Sequence, residues 1–577
     1  MKKHLKMTAF SLVLLCGAVV LVGVLLQKRK QARAPHTRRP NVILISLDTV
    51  RPDHLGCYGY AARTSPNLDA FARCSVLFRN ARAQAPWTLP SHMSLFTSML
   101  PSHNRVEDIN ERLADDIPTL AEVLRKAGYN TAAFVNNGQM RAHWGLSRGF
   151  DLWREFPADR PEGNCESITR ATLDWLEAPP RRPFFLFLHY FDAHDPYDPP
   201  PRYREQFHTT VFGEEARQIV WQHRLPGTDI KDERLMREII GAYDGEIAWL
   251  DSELGKLLAA LPSDAVTVIF SDHGEAFEEH GWTTHGAALY EEEVRVALMI
   301  HAPGVAAHEI ETPVMLLDVA PTILSRCNVE APPSFEGTPW ECLQPPSRPI
   351  PSETKRFLEG RVLKSVVVGE WKLIYSLFDG AVELYKLPDE KTNLADREPA
   401  RVKELLPIVQ EWMEREDYWM FHAKGPGEMR ATLTREDGRF IVFIPVRFDL
   451  EHDRLEPSAD GKKLVWTVHP GDLTKSLYVE RPPGTGPFTY DLSIDGRPKD
   501  PFVEHWGVFD FYDMPWPPLG EDETESPFLT APPRVEGDSG FYVIHHLGKE
   551  SDKARQPSGV KLDKETIEQL RSLGYVQ

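Results

Sequence analysis

Basic charge is scarce in this 577-residue sequence: 66 Lys and Arg stand against 85 Asp and Glu, a formal net charge of −19. Phosphate backbones are bound by basic surfaces, so this balance argues against nucleic acid as the main partner. Cysteine is scarcer still. Its six copies form no Cys-x-x-Cys pair and show no zinc-ligand spacing, which argues against a disulfide framework and leaves room for one incidental bridge. Internal repeats are absent. One apolar run, residues 7–26 (MTAFSLVLLCGAVVLVGVLL), carries no charge and matches the roughly 20 residues that span a bilayer. It reads as a single N-terminal membrane anchor, and the rest of the chain is expected to be periplasmic or extracellular. A cleaved signal peptide is the rival, but its apolar core would be about 7–15 residues, and the small-residue site Ala32-Arg-Ala34 is followed by Pro35. Lysines and arginines flank the run on both sides, so charge does not orient it.

What the chain does have is α/β alternation. Four apolar runs of strand length, 41–47, 131–135, 184–188 and 266–270, lack the polar alternation of a half-exposed strand and suit a sheet buried on both faces. Helices are expected over 117–127, 167–177 and 237–261. In an open α/β sheet ligands bind beyond the carboxyl ends of the strands. Polar residues collect there: Asp48, Asn136, His189 with His194, and Asp272 with His273. From about 361 the pattern changes to short alternating strands and an amphipathic helix over 402–413, and beyond about 430 to a Pro- and Trp-rich region with short strand-like runs. The expected division is an anchor and linker (1–39), a catalytic α/β domain (40–360), a small α+β subdomain (361–425) and a β-rich accessory region (426–577). Residues 514–518 and the acidic run 521–525 read as loop.

The stretch APWTLPSH at 85–92 places the hydroxyl of Thr88 ahead of a proline and a helical run over 93–99. Proline suits the first turn of a helix, whose free N–H groups attract an oxyanion. A plain loop-to-helix junction with Thr88 as N-cap is the ordinary alternative. Asp48, Asp272 and His273 come from different strands, and hard carboxylates with one imidazole suit a divalent cation.

The chain resembles the sulfatase family of the alkaline phosphatase superfamily from residue 40 to about 413. The resemblance rests on 41–59 (NVILISLDTVRPDHLGCYG), SPNLD at 65–69, the run 88–101, GYNT at 128–131, HDPY at 194–197, 243–251, SDHGE at 271–275 and DVAPT at 318–322. It implies an alkaline-phosphatase-like sheet sandwiched by helices and a small C-terminal sheet. The resemblance also implies that Asp48, Asp272 and His273 hold a divalent metal (Ca, Mg or Mn before Zn), with Thr88 as a further ligand and nucleophile. His194 would bind the transferred group or protonate the leaving oxygen, and His285 would bind its non-bridging oxygens, both tasks needing a histidine near neutral pKa, and Asn136 and His280 would contact substrate. Sulfatases carry a Cys or Ser that is oxidised to formylglycine; threonine cannot become an aldehyde, so Thr88 departs from that chemistry. Thr88, Pro90 and His92 look instead like the Thr-x-Pro-Asn/Ser-His signature of nucleotide pyrophosphatases and phosphodiesterases. Thr49 replaces a ligating Asp, with a hydroxyl it could lend, and His285 and Asn136 stand where sulfatases have sulfate-binding lysines. The expected function is hydrolysis of sulfate or phosphate esters of a small, glycan or lipid alcohol, with phosphodiester or phosphonate cleavage rivalling sulfate cleavage. A membrane phosphoalcohol headgroup transferase and a catalytically silent binding protein are the alternatives.

Overall fold

The computed structural model describes residues 39–109, 111–136, 138–157, 164–178, 183–224, 230–343, 348–356, 361–376, 381–412, 417–440, 442–446, 452–480, 488–500, 503–506, 540–547 and 558–559. The apolar run 7–26 and the stretches 514–518 and 521–525 lie outside them. Among the described residues no helix is long and apolar enough to cross a membrane. The five cysteines described are all free.

The apolar runs become the middle of an eight-stranded sheet. Its strands are β1 (Val42–Leu47), β2 (Val76–Phe78), β3 (Asn130–Asn136), β4 (Leu152–Phe156), β5 (Phe184–Tyr190), β6 (Val266–Ser271), β7 (Leu298–His301) and β8 (His308–Ile310), in the order β8-β2-β7-β6-β1-β5-β3-β4. Strands β6, β1, β5, β3 and β4 run parallel, as an uninterrupted apolar pattern requires, whereas β7 is antiparallel to both β6 and β2. The sheet is therefore mixed. Four strands escape the sequence reading for physical reasons: β2 and β8 have three residues each, β7 four, and β4 is an edge strand largely facing solvent.

Successive residues of β1 point to opposite faces, and each face has its own core. Val42 and Leu44 join one core with α2 (Thr88–Thr97), α3 (Leu120–Lys126) and α7 (Val319–Arg326); Ile43, Ile45 and Leu47 join the other with α1 (Pro66–Ala72), α4 (Cys165–Glu177), α5 (Gly213–Gln222) and α6 (Glu233–Ala260). Helix starts follow their caps. Thr119 and Glu122 form a capping box that starts α3, and the Asp232 carboxylate accepts from Arg234 and Leu235 N–H, which begins α6 four residues before its expected start.

Registry aligns the ends of the central strands. Leu47 of β1 is level with Tyr190 of β5 and Ser271 of β6, so Asp48 and Asp272 leave the sheet side by side. Beyond the main sheet, β9 (Ile350–Arg356), β10 (Arg361–Val368), β11 (Trp371–Ser376) and β12 (Val382–Lys386) form an antiparallel sheet, the first of these strands being one the sequence pattern does not announce. One face packs on α8 (Pro399–Trp412); Leu363, Ile374 and Tyr385 on the other pack on Trp282, Leu289 and Tyr290, behind the loop that follows His273. The described strands between Asp417 and Leu547 form two five-stranded sheets around Trp419, Phe421 and Trp466.

Candidate functional site

Thr88 is the first residue of α2, after an extended Trp87 at the N-cap, and not the cap itself. Its backbone turns into the helix one residue after Trp87, which buries the side chain completely. The Thr88 hydroxyl donates to Asp48 Oδ2 at 3.3 Å and lies 3.3 Å from His273 Nε2. The helix start is less open to an oxyanion than its sequence suggests, because the Leu89 N–H is taken by Gln139 Oε1.

His273 Nδ1 lies 2.9 Å from the Gly274 carbonyl, which can only accept, so this nitrogen carries the proton. Burial, and then the neighbouring His285, push the His273 pKa well below its ordinary value. The ring is therefore neutral, and its Nε2 lone pair faces Asp48 Oδ1 and Asp272 Oδ2, each at 3.4 Å. Asp272 Oδ2 is buried and accepts no hydrogen bond. Burial, followed by the charge of Asp48, pushes the Asp272 carboxyl up. A lone pair and two carboxylates facing one another repel, which adds to burial in pushing the Asp272 carboxyl up, and a cation in their midst reverses that sign. One donor atom from each of Asp48, Asp272 and His273 lies within 4.8 Å of the others. Two hard carboxylates, one imidazole and an adjacent hydroxyl therefore fit a divalent cation.

The turn after β1 shapes this group. Thr49 has φ 56, a left-handed conformation that a β-branched residue adopts only when held there. Its N–H donates to Asp272 Oδ1 at 3.3 Å and its hydroxyl to the Ala193 carbonyl at 2.8 Å, so the hydroxyl serves a neighbouring loop and not the donor group. The Tyr243 hydroxyl clamps the turn, donating to Thr49 O at 2.8 Å and accepting from Arg51 N at 2.9 Å. On the other side, a Cβ at Gly274 would lie 2.0 Å from the Glu292 carbonyl oxygen, backbone that cannot give way cheaply. Gly274→Ala is thus expected to displace His273 and lower activity by about 10²-fold, the usual effect of a misplacement near 1 Å. Kinetics and a thermal melt of this variant check it, the melt showing whether the fold survives.

Two histidines to which the sequence assigns no role in the site hold Asp48 and Thr88 in place. His189 spans the Asn136 carbonyl (Nδ1, 2.9 Å) and Asp48 Oδ2 (Nε2, 3.1 Å). Asn136, the last residue of β3, thus takes part through its carbonyl. His92 bonds the Thr88 carbonyl (Nδ1, 2.8 Å) and Ser46 Oγ (Nε2, 2.9 Å), and burial, then His189, push its pKa down to about 3. His92, His189 and Asp272 also bring donor atoms within 4.8 Å of one another. The signal for His92 was its four-residue spacing from Thr88, which puts both on one face of α2. Nothing in the sequence paired His189 with Asp48.

Residues 40–329 match the Sulfatase family model. The chain belongs to the sulfatase family. This span contains every site residue described above. A sulfatase of Escherichia coli strain K12, YidJ, is 24% identical over 420 residues, covering 62% of this chain and 84% of that one. The choline-sulfatase of Rhizobium meliloti is 26% identical over 433 residues, covering 62% and 83%. Among solved structures, the phosphonate monoester hydrolase of Agrobacterium radiobacter superposes with a TM-score of 0.55 at 20% identity, covering 64% of this chain and 95% of its own, a likeness of fold. The chain is accordingly a hydrolase built on the alkaline-phosphatase-like fold.

His194 and His285 lie beside the donor group of Asp48, Asp272 and His273. Their ring centroids are 4.9 Å apart, and His285 lies 4.4 Å from His273 with its Nδ1 3.1 Å from Glu275 Oε1. His285 is 9% exposed, whereas Thr88 is wholly buried. The expectation of a near-neutral pKa fails for His194. Burial favours the neutral ring, but Asp195, then Asp48 and Glu275, raise it to about 9. His280 does not join this group: its contacts are Glu292 Oε1 at 2.5 Å, the Glu390 carbonyl at 3.0 Å and the Tyr290 ring stacked at 3.6 Å.

Proposed function

We propose that this sulfatase is a metal-dependent hydrolase that cleaves sulfate or phosphate esters with Thr88 as nucleophile. The observation that carries the reading is the convergence of the Thr88 hydroxyl, Asp48, Asp272 and a neutral His273 on one buried point. Asp48, Asp272 and His273 would hold a divalent cation, with Thr88 beside it. Bound there, such a cation supplies charge that lowers the Thr88 hydroxyl pKa and offsets charge on the transferred group. The Thr88 proton leaves toward Asp48 Oδ2, its hydrogen-bond acceptor. Thr88 Oγ1 then bonds to sulfur or phosphorus as the ester oxygen departs, and His194, held protonated, gives that oxygen a proton from Nε2. Water, giving a proton to the now neutral His194, breaks the covalent Thr88 ester in a second in-line displacement, and Asp48 Oδ2 returns its proton to the departing Thr88 Oγ1. His285 binds the non-bridging oxygens. The uncharged length of 7–26 supports tethering of this activity to a membrane, with the catalytic domain periplasmic or extracellular.

A sulfate monoester and a phosphodiester present one negative charge each, a phosphate monoester two. Histidine and asparagine at 285 and 136, where the family places lysines, favour the singly charged group. On chromogenic sulfate, phosphate monoester, phosphodiester and phosphonate esters, with Ca, Mg, Mn and Zn added back separately, diester or phosphonate turnover is expected to equal or exceed sulfate turnover. Turnover of sulfate alone would overturn the ester preference, and activity in full without metal would overturn the cation site.

A further inference from the structure

His194 is gripped from two sides. Its Nδ1 lies 2.7 Å from the Asp195 carbonyl oxygen and 3.0 Å from Asp195 Oδ1, and its ring stacks on Phe191 at 4.2 Å. The second carboxylate oxygen of Asp195 points away from His194 to α5. There it accepts from Trp221 Nε1 at 2.9 Å, with Arg217 Nε at 3.6 Å, and the Arg217 guanidinium lies over the Trp221 ring at 5.1 Å. Asp195 is buried, with 3% of its surface exposed. Burial alone would raise its pKa, yet His194, Trp221 and Arg217 together lower it, so it stays ionised. A buried carboxylate with both oxygens engaged is costly unless its partners need it, and here one partner is the histidine beside the site.

We propose that Asp195 is a positioning residue for the hydrolysis, locking His194 with Nδ1 engaged so that Nε2 faces the transferred group, and that α5 holds Asp195 through Trp221 and Arg217. The inference rests on the reading of Thr88 and His194 given above. It adds three residues, none of them at a strand end, and makes α5 a support of the active site as well as a core element. Both acceptor contacts of Nδ1 are to oxygens that take a proton and give none, so any proton exchanged with a leaving group travels on Nε2. Asp195, Asp48 and Glu275 favour the protonated form of His194, while the neutral ring of His273, the ring of His285 and, beyond Asp195, the Arg217 guanidinium also face this group. Removing the Asp195 charge alone leaves the other groups in place and lets burial drive His194 toward neutrality.

The test uses the full chain, metal-replete, and the best ester of the chromogenic panel. Wild-type kcat/KM is expected to fall on the alkaline side as His194, raised above its ordinary value chiefly by Asp195, loses its proton. In Asp195→Asn, which keeps the shape and loses the charge, that limb is expected to move down by about one pH unit or more. Activity below it should be retained to within about 10-fold, and the loss above pH 8 should be larger. Trp221→Phe, which removes one support and keeps the carboxylate, is expected to move the limb in the same direction by less. Titration of His194 followed by NMR in histidine-labelled protein, assigned with His194→Asn, reads the same shift without turnover. An unmoved limb and an unmoved His194 titration in both folded variants would overturn the proposal. Thr88→Ala separates this from the underlying reading: full activity there sinks the nucleophile, whereas an inactive Thr88→Ala with unmoved Asp195→Asn profiles sinks only the Asp195 assignment.

Discussion

Thr88→Ala is expected to fold normally and to lose about 10³–10⁶-fold in kcat, the range for removing a nucleophile from an assembled site. The fold survives because Thr88 contributes one methyl and one weak hydrogen bond to a helix whose other buried residues, Leu89, Met93, Leu95 and Phe96, carry its packing. Thr88→Ser keeps the hydroxyl and frees χ1, which in threonine is restrained by branching. Its activity is expected within about 10–100-fold of wild type, since a nucleophile that strays from in-line geometry loses rate rather than chemistry. Trapping the covalent intermediate and weighing the Thr88 peptide distinguishes the ester classes: a diester leaves its second alcohol on the adduct and a sulfate ester does not. A fully active Thr88→Ala protein would remove Thr88 from the reaction.

The second large effect concerns Asp272. Asp272 and His273 are wholly buried. In the metal-free protein Asp272 Oδ2 faces the His273 lone pair with no hydrogen bond, and Asp48 adds a like charge. Asp272→Asn keeps the oxygen that accepts from Thr49 N and His273 N and removes the charge. The metal-free variant is therefore expected to melt at or above the metal-free wild type. Added metal should raise only the wild-type melting temperature, by a stabilisation of about 2.7 kcal/mol at a hundred times Kd. Activity should fall to background in the variant, and its metal content after gel filtration to well below one per chain. Equal metal-induced stabilisation of both proteins would place the cation elsewhere.

How much of this was legible beforehand depends on the range of the interaction concerned. The uninterrupted apolar runs 41–47, 131–135, 184–188 and 266–270 determined buried, parallel strands, because chain with no polar face has no other stable place. The polar residue that ends each run marked the edge where a site belongs, and the motif around Thr88 marked the hydroxyl that lies beside Asp48 and His273. Short or solvent-facing strands such as β2, β4 and β8 carry too few apolar residues to announce themselves and form only because a neighbouring strand supplies their hydrogen bonds. The left-handed turn at Thr49 is likewise invisible locally, being held by Tyr243 from 194 residues away. His189 against Asp48, and Trp221 against Asp195, pair across 141 and 26 residues and alter protonation through burial and charge. Residue type and spacing determined which atoms are chemically able to react. Only the tertiary structure decided which of them are neutral, which charged and where each nitrogen points, because those depend on desolvation and on partners brought together by the folded sheet.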